Sequence, residues 1–149
     1  MPLQGVSVLV VEDHADSRHL AHALLTHLGA RVAVAEDGEQ GVEKIRQECP
    51  DLVLCDLLMP HMDGYELARQ VRRSPQWAHA RLVAVTALRD DSAYVRSWSA
   101  GFDAHLEKPI TLEKLNEIAE RFRLGRVAPR PRRRRKSRSP EPPPPPTSN

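Results

Sequence analysis

The sequence predicts an α/β domain on an open, doubly wound parallel sheet, and three observations carry that reading. Short apolar runs alternate with helix-period segments five times along residues 6–122. The runs are apolar at nearly every position rather than at every second one, the pattern of strands covered on both faces. Parallel neighbours need a crossover, which the intervening helices supply. A closed barrel of eight such units needs about 250 residues, far more than the 149 present.

Taken in order, residues 6–11 form the first strand, and residues 16–28 place Leu20, Leu24, Leu25 and Leu28 at helical spacing before Gly29 stops the helix. A second strand is expected over residues 31–35. Asp37-Gly38 then leads into a short helix carrying Val42 and Ile45, closed by Pro50. Residues 52–55 make a third strand that runs straight into Asp56. The stretch 64–73 presents Leu67, Ala68 and Val71 on one helical face, with Pro75 beyond it and Trp77 in a loop. A fourth strand, 82–85, ends at Thr86; Asp91 or Ser92 is expected to cap a helix that reaches Ala100 and stops at Gly101. The fifth strand, 104–106, leads to Lys108-Pro109. Thr111 caps a last helix with Leu112, Leu115, Ile118 and Phe122 on one face.

Charge divides the chain in two. Residues 126–149 hold eight basic residues (Arg126, Arg130, Arg132, Arg133, Arg134, Arg135, Lys136, Arg138) against Glu141 alone, and eight of the 13 prolines. Residues 1–125 hold fourteen basic and nineteen acidic residues, so the overall +2 describes neither part. The sequence therefore predicts a folded domain over 1–125 and a disordered basic, proline-rich tail over 126–149. That tail has too few apolar residues to fold, and its pentaproline favours an extended polyproline II form. No apolar run approaches the roughly 18 residues that cross a bilayer. The apolar start has no basic residue ahead of it and is broken by Glu12, unlike a signal peptide. Cys49 and Cys55 are too few for a disulfide framework or a zinc site, and free thiols fit a reducing, cytoplasmic setting.

In an open α/β sheet, ligands bind at the carboxyl ends of the strands. There the sequence places Glu12-Asp13 after the first strand, Asp56 after the third, Thr86 at the end of the fourth and Lys108 after the fifth. Three carboxylates this close imply a compensating cation. Oxygen donors with no convergent His or Cys favour Mg²⁺ over zinc. A lysine and a hydroxyl beside the metal are donors for a phosphoryl group, and a carboxylate in that setting can become an aspartyl phosphate. Each signal alone has an ordinary explanation: a solvated turn, a good strand former, an exposed charge. Their convergence on one sheet edge does not.

The segments Val8-Leu9-Val10-Val11-Glu12-Asp13, Asp51-Leu52-Val53-Leu54-Cys55-Asp56-Leu57-Leu58-Met59-Pro60, Met62-Asp63-Gly64, Val85-Thr86-Ala87 and Lys108-Pro109, in this order and spacing, resemble the response-regulator receiver family of two-component signalling. The resemblance covers residues 5–124. Gly101-Phe102-Asp103-Ala104-His105-Leu106 resembles receivers attached to hybrid histidine kinases. The resemblance implies a flavodoxin-like fold of five βα units, with Asp56 as phosphoacceptor. Asp13 would ligate Mg²⁺ directly, Glu12 would assist through water, and the Leu58 backbone carbonyl would complete the protein's share. Thr86 and Lys108 would bond the phosphoryl group, a cis Lys108–Pro109 peptide would aim the lysine inward, and Ala87 would leave room beside it. The phosphoryl donor would be a sensor histidine kinase or a histidine phosphotransfer protein. A downstream protein would read the face of the fourth helix, fifth strand and fifth helix, where Tyr94, Trp98 and His105 are candidate contacts, with core packing an equal expectation for Trp98. Such a module is a switch rather than an enzyme.

Three positions depart from the family pattern. His105 stands at a switch position that is commonly aromatic, so its protonation would affect the switch if it turned inward; the plainer expectation is a surface side chain. Leu58 and Leu88 flank the phosphoryl site with apolar groups, which predicts slow self-hydrolysis. Glu12 replaces the commoner Asp with a longer arm. Two rival functions fit part of the pattern. A Mg²⁺-dependent phosphohydrolase with an aspartyl nucleophile needs an acid where Leu58 stands. A nucleic-acid-associated protein would bind through the Arg-rich tail, which carries no interleaved aromatics for stacking. His19 and His22, three apart, lack a third metal ligand and fit a polar helix face.

Overall fold

Five strands and five helices alternate along the chain in the computed structural model, which describes residues 1–87 and 91–125. The tail 126–149 and Leu88 lie outside the described residues. The strands are β1 (Ser7–Val11), β2 (Arg31–Ala35), β3 (Leu52–Asp56), β4 (Arg81–Thr86) and β5 (Ala104–Glu107). The helices are α1 (Ala15–His27), α2 (Gly38–Glu48), α3 (Gly64–Arg72), α4 (Asp91–Ala100) and α5 (Leu112–Arg121). All pairings are parallel and the sheet order is β2-β1-β3-β4-β5.

Both faces of the sheet are covered, which is why its strands read as continuous apolar runs. Alternate residues feed two separate cores. Val8, Val10, Leu54 and Val85 pack with Leu25 of α1 and Leu115 of α5 on one side. Leu9, Val11, Val53, Cys55 and Leu82 pack with Ile45 of α2 and Leu67 and Val71 of α3 on the other. Cys55 is a buried free thiol, Cys49 an exposed one. No helix among the described residues is long and apolar enough to cross a membrane.

Caps set most helix starts. Asp37 accepts from the Gln40 amide at 2.8 Å, Asp63 from Glu66 at 3.0 Å and Thr111 from Lys114 at 3.1 Å. Three expectations change. His14 caps α1, its ring Nδ1 lying 3.4 Å from the Ser17 amide, so the helix begins before Asp16. Asp91 and Ser92 both lie inside α4 and neither caps it. Trp77 closes a 3₁₀ turn, Pro75–Trp77, and is buried with the α3 core instead of lying free in a loop.

Candidate functional site

From β1 the chain crosses outward to β2 and then returns to β3 on the other side of β1, so the crevice opens where β1 and β3 end. Glu12 and Asp13 directly follow β1, and Asp56 is the last residue of β3. One carboxylate oxygen from each of the three lies within 4.8 Å of the others. Thr86 ends β4 and is buried at 1% exposure, while Lys108 follows β5 and donates its amide to the Thr86 carbonyl at 2.9 Å. The Lys108–Pro109 peptide is cis. The lysine side chain turns over the crevice, its Nζ 2.9 Å from Glu12 Oε1 and 3.3 Å from Asp56 Oδ2.

Asp56 is held in place by its neighbours. Its Oδ1 accepts the Leu58 amide at 3.2 Å. The loop then folds back so that the Gly64 amide reaches the Leu57 carbonyl at 3.1 Å. A Cβ at position 64 would fall on the Asp56 carbonyl and the Leu57 Cα, so glycine is what lets α3 start this close to the acid.

Burial and charge pull these groups apart electrostatically. Burial, reinforced by the nearby Glu12 carboxylate, raises Asp56 from its ordinary 3.8 to about 6 despite Lys108. Burial acts on Glu12 the same way, but the Lys108 bond and the His14 amide at 3.0 Å outweigh it and hold Glu12 below its usual value. Burial disfavours charged Lys108, yet its bond to Glu12 and the Asp56 charge keep it raised. Three carboxylates against one ammonium leave a formal charge of −2, which one divalent cation cancels. The donor set is oxygen only, the chemistry of a hard ion such as Mg²⁺.

The structure thus brings together Glu12, Asp13, Asp56, Thr86 and Lys108. Leu58 directs an exposed side chain (57%) beside the site, and Ala87 is exposed as well. A cavity of about 300 Å³, walled by Ser17, Leu20, Ala21, Pro109 and Ile110, opens alongside Asp56 and Lys108 between α1 and the β5–α5 loop. Farther along the sheet edge, Tyr94 stacks edge-on with Trp98 at 5.8 Å and with His105 at 5.4 Å. His105 is half-buried rather than a surface side chain. Its Nε2 is buried with no hydrogen-bond partner among the described residues. Burial therefore lowers its pKa, against the opposing pull of Glu107. Arg18, which the sequence reading passed over, donates to the backbone carbonyls of Glu12 and Asp13. Its only sequence-level signal is a basic residue one turn inside the first helix.

Comparison with known proteins agrees with this geometry. The family model described as response regulator receiver domain matches residues 8–120. A probable chemotaxis protein CheY of Rhizobium etli is 35% identical over 118 residues, 78% of this chain and 92% of that protein. The transcriptional regulatory protein AfsQ1 of Streptomyces coelicolor is 36% identical over 104 residues, 70% of this chain, of which this chain spans only 45%. Among solved structures, the receiver domain of sensor histidine kinase PA1611 from Pseudomonas aeruginosa, with a magnesium ion coordinated in its active site cleft, matches at TM-score 0.71 and 31% identity. That match covers 78% of this chain and 96% of that one.

Proposed function

The chain belongs to the response regulator receiver domain family, and on that premise we propose that Asp56 is its phosphoacceptor. The observation that carries the proposal is the meeting of Glu12, Asp13 and Asp56 within 4.8 Å under the Lys108 ammonium. Glu12, Asp13, Asp56 and the Leu58 carbonyl are the groups that would hold Mg²⁺. When bound, the ion supplies positive charge against the oxygens of an incoming phosphoryl group.

The reaction transfers phosphoryl from a histidine of a sensor kinase or phosphotransfer protein. An Asp56 carboxylate oxygen forms the new P–O bond as the P–N bond to the donor imidazole breaks; the released nitrogen takes a proton from solvent. Asp56 must be ionised to attack, which neutralising the −2 site favours. Lys108 then moves from the free carboxylates to a phosphoryl oxygen, and the Thr86 hydroxyl bonds another. That inward pull on Thr86 alters the neighbouring surface of α4, β5 and α5, where Tyr94 and His105 lie and Trp98 is buried against Tyr94, biasing two packings for a downstream protein. The module is a switch with phosphotransfer and self-dephosphorylation chemistry only. It acts in the cytoplasm, with residues 1–125 as the receiver unit and 126–149 as an appendage.

Incubating the chain with acetyl phosphate and Mg²⁺ should add one phosphoryl group by intact mass, absent in Asp56→Asn. No adduct, or an adduct that survives the substitution, overturns the proposal. The second reading, nucleic-acid association through the tail, rests on the charge of residues 126–149 alone. It requires salt-dependent retention on duplex DNA that disappears when those residues are deleted.

A further inference from the structure

We propose that Arg18 is a positioning residue for the cation site: its guanidinium holds the backbone turn that presents Glu12 and Asp13. Nη1 donates to the Glu12 carbonyl at 3.0 Å and to the Asp13 carbonyl at 3.4 Å. Nη2 lies 3.8 Å from the Glu36 carboxylate, just past β2. The side chain is only 12% exposed. One residue of α1 therefore ties two consecutive carbonyls at the end of β1 to the end of the adjacent strand.

The two acids are secured unequally. Glu12 is gripped through its own carboxylate, by Lys108 at 2.9 Å and the His14 amide at 3.0 Å. The Asp13 carboxylate is exposed and makes no hydrogen bond or ion pair among the described residues. Its aim toward Asp56 depends on its backbone alone, and Arg18 fixes that backbone. Without the fork, repulsion from Glu12 and Asp56 drives Asp13 outward, and a ligand set of three carboxylates becomes one of two. Outer groups that orient metal ligands typically change affinity by about 10–100-fold when removed.

Charge and positioning predict opposite signs. Arg18 places a cation near a cation site, so loss of charge alone would tighten Mg²⁺ binding. Loss of the fork weakens it. Lysine keeps the charge but has one nitrogen where the guanidinium uses two, so it cannot hold the Glu12 and Asp13 carbonyls and stay tied to Glu36 at once.

The inference rests on the reading of Glu12, Asp13 and Asp56 as Mg²⁺ ligands, and the test separates the two. The full-length chain, Arg18→Met and Arg18→Lys are titrated with MgCl₂ by calorimetry, with thermal melts to follow folding. Both variants are expected to raise the Mg²⁺ dissociation constant about tenfold. Acetyl phosphate labelling should still reach the wild-type extent once Mg²⁺ is saturating. An Arg18→Lys affinity within twofold of wild type, or tighter binding in Arg18→Met, overturns the inference while leaving the site intact. A wild-type chain that binds no Mg²⁺ overturns the reading of the site and the inference together. Should Arg18→Met fail to fold, Arg18→Lys alone decides.

Discussion

Substituting the phosphoacceptor with its neutral isostere should make the metal-free protein more stable, although it removes a partner of Lys108. Asp56 is 8% exposed and faces Glu12, and its ionisation in the fold is displaced from 3.8 to about 6. At about 1.4 kcal/mol per pH unit, keeping it ionised costs the folded state at most about 3 kcal/mol at neutral pH. Asp56→Asn removes that cost, in which the 3.3 Å contact to Lys108 is already counted because the ammonium pulls the acid's pKa down against burial and Glu12, and solvent screening at the open crevice trims the gain. The net gain is about 1–2 kcal/mol, or a rise in Tm of about 3–10 °C for a domain of this size. Because the folded pKa is raised, the neutral acid's contribution is fully present below about pH 3.8 and lost as pH climbs through about 6. The gap between variant and wild type therefore opens across that window and stays open above it. Calorimetric melts in EDTA at pH 4, 6 and 8 measure it. Added Mg²⁺ should raise the wild-type Tm and leave the variant's nearly unchanged, closing the gap. An Asp56→Asn protein no more stable than wild type at pH 8 without metal, or a gap that Mg²⁺ leaves untouched, would refute the reasoning.

Other outcomes follow from the same geometry. Lys108→Met removes the cation shared by Glu12 and Asp56 and should lower metal-free stability by about 2–4 kcal/mol in denaturant titrations, with Mg²⁺ recovering part of it. Leu58→Asn replaces an exposed apolar group beside Asp56 with one that can orient water, so the phosphoryl-Asp56 half-life, followed by intact mass after removing the donor, should shorten. Adding Leu88→Glu should shorten it further. His105 has a lowered pKa, so the unfolded chain binds the proton more readily and stability falls as pH drops below about 6.5. In His105→Phe that part of the acid-side loss should disappear from melts between pH 7 and 5.

How much was legible in advance depended on whether a signal is local. The strands announced themselves because a sheet covered on both faces requires apolar residues at successive positions, as in residues 52–55 and 82–85. Caps at Asp37, Asp63 and Thr111 were equally local, since one side chain satisfies an amide three residues on. The α4 cap was misjudged because two acceptable residues, Asp91 and Ser92, both lie within the helix.

The sequence by itself determined the α/β class, the five-unit order and the set Glu12, Asp13, Asp56, Thr86 and Lys108 at the strand ends. Those follow from periodicity and from where each apolar run stops. Only the tertiary structure decided how the set is joined. Lys108 is 96 residues from Glu12 in the chain, and its 2.9 Å bond exists because β5 and β1 end at the same edge. Likewise, Arg18, bonded locally to two carbonyls, also reaches Glu36 only because β2 pairs beside β1. His105, expected at the surface, lies half-buried against Tyr94 of α4. Sequence spacing fixes what one element carries; contacts between elements depend on sheet order and helix packing, where small differences in many weak terms select one arrangement.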